Sequence, residues 1–286
     1  MSAKILDGTA LARARRGRLA EQVGAFVERH GVAPCLAAIL VGDNPASRSY
    51  VESKAKACGQ AGMRSETFHL APDTAPSDLL ALLDELNARR DVHGILPQLP
   101  MPPQIDPDAV FARLHPDKDV DGLSPTNAGY LALGQPRLVP CTPLGIVVLI
   151  DESGVGIAGA EAVVVGRSNI VGKPTALLLL ARHATVTLCH SRTADLAKHT
   201  RRADILVSAA GRPRMIRREM VKPGAAVIDV GISRVEGKIV GDVDFAAVRE
   251  VAGAITPMPG GTGPMTIAML LENTLAAARL QLEGRR

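Results

Sequence analysis

The chain has 286 residues, of which 47% are hydrophobic and 22% charged, and its formal net charge is +4. This length fits about two domains, with ample sequence for an apolar core. The two tyrosines, four phenylalanines and absence of tryptophan argue against an aromatic platform for single-stranded nucleic acid. The densest basic run, residues 13–18, lies in a helical pattern, so we expect a solvated helix face and no nucleic-acid partner.

The cysteines, histidines and apolar runs predict neither a metal site nor a membrane anchor. The four cysteines show no C-x-x-C spacing, and the seven histidines form no pair at metal-ligand spacing. No apolar run approaches the roughly 18 residues of a membrane span, and the N-terminus carries charges where a signal peptide is apolar. The absence of a G-x-S-x-G elbow leaves a serine hydrolase unsupported. We expect a cytoplasmic protein with reduced thiols, no bound metal and no membrane partner.

The first half of the chain alternates between apolar runs and amphipathic segments. Helices are predicted at residues 7–30, 45–58, 77–90 and 105–115, and strands at 34–41, 65–70 and 92–99. The run at 34–41 is continuously apolar, which is typical of a strand buried on both faces. Strands and helices at this spacing predict parallel βαβ units.

A turn-rich segment at residues 116–127 interrupts this alternation, and a second alternating unit follows a boundary near Pro140. Its strands are predicted at 160–166, 184–190, 204–211, 225–231 and from 252, and its helices at 142–154, 173–183, 193–201, 216–223 and 265–283. A hairpin is predicted about residues 236–237. The predicted fold is therefore two α/β domains, residues 1–140 and 141–264, with a C-terminal helix, residues 265–286, packed back on the first domain.

Tyr50 and Lys54 share one face of a helix that Asn44 caps and Pro45 begins, because they lie four residues apart. They flank a narrow apolar stripe that includes Val51 and should face the core. A lysine beside a buried stripe can lose solvent, which lowers its pKa toward the range of acid–base catalysis. The alternative is an exposed lysine whose stem covers apolar surface.

Residues 163–174, VVVGRSNIVGKP, join a predicted buried strand to a helix. This is where a doubly wound sheet binds a dinucleotide, with backbone N–H groups facing the phosphates. Gly166 and Gly172 do not spell G-x-G-x-x-G, so an ordinary strand–helix turn is the alternative.

The next strand, residues 184–190, bears on the choice of nucleotide. In NAD-binding proteins a carboxylate near this point takes the ribose hydroxyls, but no acidic residue is in place here. Ser191 and Arg192, together with Arg167, are suited instead to a 2′-phosphate. The pattern predicts NADP rather than NAD.

Three further segments carry polar or flexible residues at loop positions. Gln98 stands between prolines at a strand end, where it could also be a simple edge residue. Residues 116–122, PDKDVDG, offer three carboxylates around one lysine, too few oxygen ligands for calcium and equally consistent with a capped turn. Residues 259–264, PGGTGP, would let a backbone approach a ligand closely, or form a hinge between domains.

Eight segments of the chain form a recognisable series. They read NPASRSYVESKAKAC, GILPQLPMP, PDKDVDG, PCTPLG, VVVGRSNIVGKP, IDVGI, GDVDF and PGGTGPMT. In this order they resemble the bifunctional methylenetetrahydrofolate dehydrogenase/methenyltetrahydrofolate cyclohydrolase family. Two positions depart from the family pattern, since Pro97 and Thr262 stand where valine is common, and both flank the expected substrate pocket.

The resemblance implies an N-terminal folate-site domain and a Rossmann-like NADP-binding domain with a cleft between them. It implies oxidation of 5,10-methylenetetrahydrofolate with NADP, followed by hydrolysis of the methenyl product to 10-formyltetrahydrofolate. These reactions belong to one-carbon folate metabolism and serve purine biosynthesis. The implied partners are tetrahydrofolate derivatives and a second copy of the chain, in a homodimer joined through the nucleotide domains.

The resemblance also implies roles for individual residues. Lys54 would be the general base or acid of the cyclohydrolase step, and Gln98 would hold it without adding charge. Tyr50 would pack on the folate ring system, and Asp121 would accept hydrogen bonds from the pterin N–H groups. The expected substrate pocket adds Leu99, Pro259, Gly260, Gly261, Gly263 and Pro264. The expected NADP site comprises Gly166, Arg167, Ser168, Ser191, Arg192 and Ile232.

Two other functions are considered. A dehydrogenase that has lost the cyclohydrolase predicts the loss of Lys54, Gln98 or Asp121, and all three are present. A non-catalytic regulator that binds NADP or folate is disfavoured by the intact lysine.

Overall fold

The computed structural model describes residues 2–284. It contains two compact units: unit 1 comprises Met1–Arg13 and Thr142–Thr266, and unit 2 comprises Ala14–Cys141 and Ile267–Arg286. Residues 1–13, predicted to belong to the N-terminal domain, thus fall in unit 1. The reason is strand pairing, because a short N-terminal strand joins the sheet of that unit in parallel.

The elements alternate along the chain. The strands are β1 (Lys4–Ile5), β2 (Cys35–Val41), β3 (Arg64–Leu70), β4 (Gly94–Pro97), β5 (Glu161–Val165), β6 (Thr185–Cys189), β7 (Ile205–Ser208), β8 (Ala226–Asp229), β9 (Ser233–Val235), β10 (Lys238–Val240) and β11 (Ala254–Ile255). The helices are α1 (Gly8–His30), α2 (Pro45–Gln60), α3 (Pro76–Ala88), α4 (Pro107–Arg113), α5 (Pro125–Ala132), α6 (Cys141–Ser153), α7 (Gly172–Ala181), α8 (Leu196–Thr200), α9 (Phe245–Val248) and α10 (Thr262–Leu282). A 3₁₀ turn lies at Arg218–Met220.

Unit 2 is built on a parallel sheet with the strand order β3-β2-β4. The central strand β2 is buried along all seven residues, as its continuous apolar sequence predicts. Leu79, Leu83 and Leu86 recur at helical spacing in α3 and pack in the same core as β2 and β4. Burying each of these leucines contributes about 1.5–3 kcal/mol.

Unit 1 has a six-stranded parallel sheet with the order β1-β11-β8-β7-β5-β6. The chain runs from β5 outward to β6 and then returns past β5 to β7. In doubly wound sheets such a reversal leaves a crevice at the carboxyl ends of the strands, where ligands bind. A separate antiparallel hairpin joins β9 to β10 through Glu236 and Gly237, both at positive φ, which confirms the predicted turn.

Two helices predicted in unit 1 are much shorter in the structure. The segment predicted as helix 193–201 is helical in α8 alone, because Asp195 takes a left-handed conformation and caps the helix there. The segment predicted as helix 216–223 is reduced to the 3₁₀ turn. Ile216 forms a β-bridge with Val243 instead, so the start of this segment is extended.

One helix was not predicted, and another begins earlier than predicted. α5 starts inside the turn-rich segment, after Ser124, whose hydroxyl accepts a hydrogen bond from the Asn127 N–H. α10 begins at Thr262 rather than at Met265. The second half of the PGGTGP segment is therefore helical and not a free loop.

Three further features of the described residues concern membranes, metals and thiols. Within residues 2–284, no helix is long and apolar enough to cross a membrane. Over the same residues, no group of three His, Cys, Asp or Glu side chains could hold a metal ion. All four cysteines are buried free thiols.

Candidate functional site

Lys54 is the central side chain of the candidate site in unit 2. It lies in α2, which begins where the side-chain oxygen of Asn44 caps the first backbone N–H groups. Val51 and Cys58 of the same helix are buried, and Lys54 beside them is only 7% exposed. The alternative of a solvated surface lysine is therefore wrong.

The Lys54 amine lies in surroundings that disfavour its charged form. Its one hydrogen-bond acceptor among the described residues is Gln98 Oε1, at 2.8 Å from Nζ, and no carboxylate of residues 2–284 forms an ion pair with it. Burial lowers the pKa of Lys54 from its ordinary 10.5, against weaker opposing effects of Asp121, Cys141 and Cys58. Because Gln98 is neutral, it holds the amine without restoring the ammonium form.

Gln98 is aimed at Lys54 by the end of β4. Its backbone N–H donates to Ile39 O at 2.8 Å, and its Nε2 donates to Leu99 O at 2.6 Å. These two bonds leave Gln98 Oε1 to accept from Lys54. The Tyr50 ring centroid lies 5.7 Å from Lys54 Nζ, and this tyrosine is 40% exposed, so its ring can stack on a ligand.

Pro97 fits β4 without loss of a sheet hydrogen bond. β4 is an edge strand that pairs with β2 on one side only. The backbone N–H of Ile95 points away from β2, to Lys118 O at 2.7 Å. Alternation along the strand puts the nitrogen of Pro97 on that same outer side, where proline is tolerated.

The three carboxylates of the aspartate loop, residues 116–122, lie in different surroundings. Asp117 pairs with an arginine. Asp119 is fully buried and accepts hydrogen bonds from two backbone N–H groups and from the Asn127 side chain. Burial raises the pKa of Asp119 despite these bonds. Asp121 is half-buried and close enough to the site lysine for its charge to affect that amine. The capped-turn interpretation thus applies to Asp119.

The position of Asp121 is fixed from both sides. Gly122 has a φ of +64°, and a Cβ there would lie 2.6 Å from the backbone of Val139. Asn273 is buried in α10 and donates to the carbonyl oxygens of Val120 at 2.7 Å and Val139 at 2.8 Å. Asn273 was not predicted from the sequence, although a polar amide within a mostly apolar helix was a signal for it.

Unit 1 holds a cavity of about 420 Å³ at the carboxyl ends of β5, β6 and β7. The turn after β5 is too tight for side chains at its glycines. A Cβ at Gly166, where φ is +128°, would lie 2.3 Å from Ala209 O, and one at Gly172 would lie 2.1 Å from Gly166 O. The Ser168 hydroxyl accepts from the N–H groups of Val171 and Gly172, where the turn meets the start of α7.

The predicted NADP-site residues divide into two groups. Four of them line the cavity: Gly166, Arg167, Ser168 and Ser191. Arg192 is exposed and lies outside the lining, as does Ile232, which is 56% exposed. His190 and Arg212 line the cavity but were not predicted. Both follow strands whose carboxyl ends meet at this edge of the sheet, so strand order was the signal for them.

PGGTGP (259–264) is packed and does not form a free hinge. Pro259, Gly260 and Gly261 precede α10, and Gly263 and Pro264 lie in its first turn. A Cβ at Gly261 would lie 2.6 Å from Pro257 O. The Thr262 hydroxyl is buried and donates to Asp229 O at 3.3 Å. Valine could not make this bond, so Thr262 adds a tether from α10 to β8.

Known proteins match the chain along almost its whole length. The catalytic-domain model of tetrahydrofolate dehydrogenase/cyclohydrolase matches residues 6–121, and the NAD(P)-binding-domain model matches residues 140–282. The bifunctional protein FolD of Bordetella avium is 55% identical over 283 residues, 99% of each chain. The crystal structure of the bifunctional enzyme FolD from Campylobacter jejuni has a TM-score of 0.95 and 49% identity, covering 98% of this chain and 100% of that one. FolD of Trypanosoma brucei, solved with NADP and an inhibitor, has a TM-score of 0.93 and 42% identity over 98% of both chains. This chain therefore belongs to the tetrahydrofolate dehydrogenase/cyclohydrolase family.

Proposed function

We propose that this protein oxidises 5,10-methylenetetrahydrofolate with NADP and then hydrolyses the 5,10-methenyl product to 10-formyltetrahydrofolate. Family membership supplies the substrate class and the pair of reactions. The observation that carries the second reaction is the buried Lys54 amine held by the neutral Gln98. A protein that only oxidised its substrate, or only bound it, would have no need for such an amine.

The cyclohydrolase step is a problem of proton transfer, because the methenyl carbon is already electrophilic. In the proposed mechanism the neutral Lys54 Nζ takes a proton from water as the carbon–oxygen bond forms. The resulting ammonium returns a proton to N5 of the folate as the bond from N5 to the carbon breaks. The remaining hydroxyl proton leaves to solvent as the formyl carbonyl forms. Gln98 keeps Nζ in place throughout.

The dehydrogenase step depends on positioning. Bound NADP supplies the hydride acceptor. The cavity in unit 1 fits a phosphate-bearing nucleotide, because the turn at Gly166 has no room for a Cβ and two arginines, Arg167 and Arg212, line the wall. Arg167 and Ser191 are the proposed ligands of the 2′-phosphate, with Arg192 beside them. In unit 2, Tyr50 and Asp121 are the proposed contacts of the pterin.

Both activities can be tested in one series of assays on the purified protein. We expect NADPH to form from NADP and methylenetetrahydrofolate, and methenyltetrahydrofolate to disappear when supplied without nucleotide. NADPH formation with methenyl decay at the uncatalysed rate would indicate a dehydrogenase alone. Failure of both reactions in a folded protein that binds NADP would indicate a non-catalytic binder.

The preference for NADP is tested by removing one guanidinium at a time. We expect Arg167→Ala to raise the KM for NADP by about tenfold or more, with little change in the KM for NAD, because a charge-assisted hydrogen bond to the 2′-phosphate is lost. Arg192→Ala should act in the same direction. An equal loss for the two nucleotides in both variants would refute the 2′-phosphate assignment.

We also propose a cytoplasmic homodimer whose 10-formyl product serves purine biosynthesis. The resemblance to the family supports the dimer, and the β9–β10 hairpin exposes apolar side chains at Val235 and Ile239. The four free thiols fit a reducing compartment. Sedimentation equilibrium should give twice the 30.0 kDa mass of the chain, and a single-chain mass would contradict the dimer.

A further inference from the structure

Two segments of unit 1, IDVGI and GDVDF, each contain a buried aspartate that has no role in the function proposed above. Asp229 ends β8 and is 2% exposed, and Asp242 follows β10 and is fully buried. Buried carboxylates are costly unless donors surround them. The hydrogen-bond donors around Asp229 and Asp242 identify the segments of the chain that the two carboxylates hold.

The Asp242 carboxylate accepts hydrogen bonds from four donors in one stretch of chain, which begins at the last residue of β7. Its Oδ2 accepts from the Ser208 hydroxyl at 3.1 Å and from the N–H groups of Ala210 at 2.6 Å and Gly211 at 3.2 Å. Its Oδ1 accepts from the Arg212 N–H at 2.7 Å. Both oxygens of Asp242 accept from donors, a pattern that an asparagine side chain, with one acceptor and one donor group, cannot reproduce.

These residues, 208–212, are here named the cavity-wall loop. Three of its five residues line the 420 Å³ cavity. The loop also presses on the turn after β5, since a Cβ at Gly166 would lie 2.3 Å from Ala209 O. A shift of the cavity-wall loop would thus change both the wall of the cavity and its contact with the turn that faces a bound phosphate.

Asp229 in turn fixes the segment that carries Asp242. Its Oδ1 accepts from the N–H groups of Gly231 at 3.0 Å and Asp242 at 2.9 Å, and its Oδ2 accepts from the Val243 N–H at 3.0 Å. The motif glycines make room for the two carboxylates. A Cβ at Gly231 would lie 2.1 Å from Asp242 Oδ1, and one at Gly241 would lie 1.9 Å from Asp229 Oδ2. Burial raises the pKa of Asp229 to about 6 despite these hydrogen bonds.

We propose that Asp242 is a positioning residue of the nucleotide site, holding the cavity-wall loop against the turn at Gly166 and so setting the affinity for the nucleotide. Asp229 orients Asp242 for this task. The inference rests on the proposed function, in which the cavity takes NADP.

Backbone hydrogen bonds near Asp242 make it possible to distinguish the proposed positioning role from a general contribution to folding. Three backbone hydrogen bonds join residues 214–216, just after the cavity-wall loop, to the GDVDF segment independently of the side chains: Arg214 N–H to Gly241 O at 3.0 Å, Ile216 N–H to Asp242 O at 2.9 Å and Asp244 N–H to Ile216 O at 2.9 Å. A change of the Asp242 side chain leaves this scaffold in place. Its effect should therefore concentrate in the cavity-wall loop.

Asp242→Asn is the decisive variant, because it keeps the shape and replaces two acceptors by one acceptor and one donor. We expect calorimetric titration to show a Kd for NADP that is higher by about tenfold or more, with the KM for NADP rising in parallel. Hydrolysis of methenyltetrahydrofolate without nucleotide should stay within about twofold of the parent protein, since Lys54 and its partners are unchanged.

Asp244→Asn is the matched control. Asp244 belongs to the same motif, is half-buried and caps α9 through the N–H of Ala247. Asparagine caps a helix as well as aspartate does, so NADP affinity should not change. Ser208→Ala is the second test variant, used if Asp242→Asn does not fold, because it removes one of the four bonds. It should raise the Kd for NADP by about twofold to fivefold.

Two outcomes with the variants would overturn the inference. One is a folded Asp242→Asn or Ser208→Ala variant with the Kd for NADP of the parent protein. The other is an equal loss of both activities, which would indicate a general structural role. Calorimetry measures binding and needs no turnover. A parent protein that binds NADP but does not oxidise methylenetetrahydrofolate would refute the proposed function. The comparison of Kd values between parent and variants would still test this inference. A parent protein that does not bind NADP would overturn both.

Discussion

Unit 2 contains two buried lysines that differ in what surrounds the amine rather than in depth. Lys54 is 7% exposed and Lys118 is 6% exposed, and burial lowers the pKa of both. Lys118 donates to three backbone carbonyl oxygens at and just after the end of α3, so all its N–H groups are used. Lys54 donates to the Gln98 side chain, its one acceptor among the described residues.

The difference shows that burial alone does not identify a reactive lysine. An ammonium group that meets three carbonyl oxygens completes a helix end, and it has no position left for a ligand. An amine with one neutral acceptor keeps two positions for water and substrate. Both lysines have a lowered pKa, so unused hydrogen-bonding capacity is what distinguishes Lys54.

Replacing Lys54 by methionine should have the largest effect. We expect Lys54→Met to lower cyclohydrolase turnover by about 10²–10⁴-fold, because proton transfer is lost. Thermal unfolding should stay unchanged or shift upward, since the variant removes a desolvated amine. Lys56→Met, an exposed position on the same helix, is the control and should alter neither property. Near-normal turnover in Lys54→Met would refute the catalytic assignment.

Replacing Lys118 by methionine should give the opposite pattern. We expect Lys118→Met to lower the free energy of unfolding by about 2–4 kcal/mol, because three carbonyl oxygens lose their donor. Urea denaturation measures this loss, and turnover per folded molecule should stay close to that of the parent protein. A stable Lys118→Met protein without cyclohydrolase activity would break the distinction between the two lysines.

Local signals explain how much of the Lys54 site could be predicted from the sequence. The cap at Asn44 and the four-residue spacing of Tyr50 and Lys54 act within one helix, so α2 and its face were predictable. The same cap signal, serine before proline, begins α5 at Ser124. There the turn-rich composition of residues 116–127 concealed it.

Long-range contacts explain what could not be predicted. Asn273 reaches the carbonyl oxygen of Val120 across 153 positions of sequence, and no local pattern encodes that contact. The predicted helix 216–223 fails for a similar reason, since the bridge between Ile216 and Val243 overrides its local helical preference. Tertiary pairing decides both cases.

Adding a charge at Gln98 should produce the smallest effect and the sharpest test of why Lys54 differs from Lys118. In the parent protein, cyclohydrolase turnover should rise with pH and level off at a lower pH than an ordinary lysine would require, because burial lowers the pKa of Lys54 and the neutral amine forms sooner. Gln98→Glu puts a carboxylate at the position that now lies 2.8 Å from Nζ, which favours the ammonium form. The pH profile should then move upward by about 1–3 units, and turnover at neutral pH should fall by about tenfold or more.

The control for this variant is Gln98→Ala, which removes the acceptor without adding charge. It should reduce turnover, because the amine is held less firmly. The pH profile of turnover should stay unchanged, because burial still lowers the pKa of Lys54. If Gln98→Glu and Gln98→Ala gave the same profile, the neutrality of Gln98 would not matter to the amine. The difference between Lys54 and Lys118 would then lie only in the hydrogen-bonding positions that Lys54 leaves open to water and substrate.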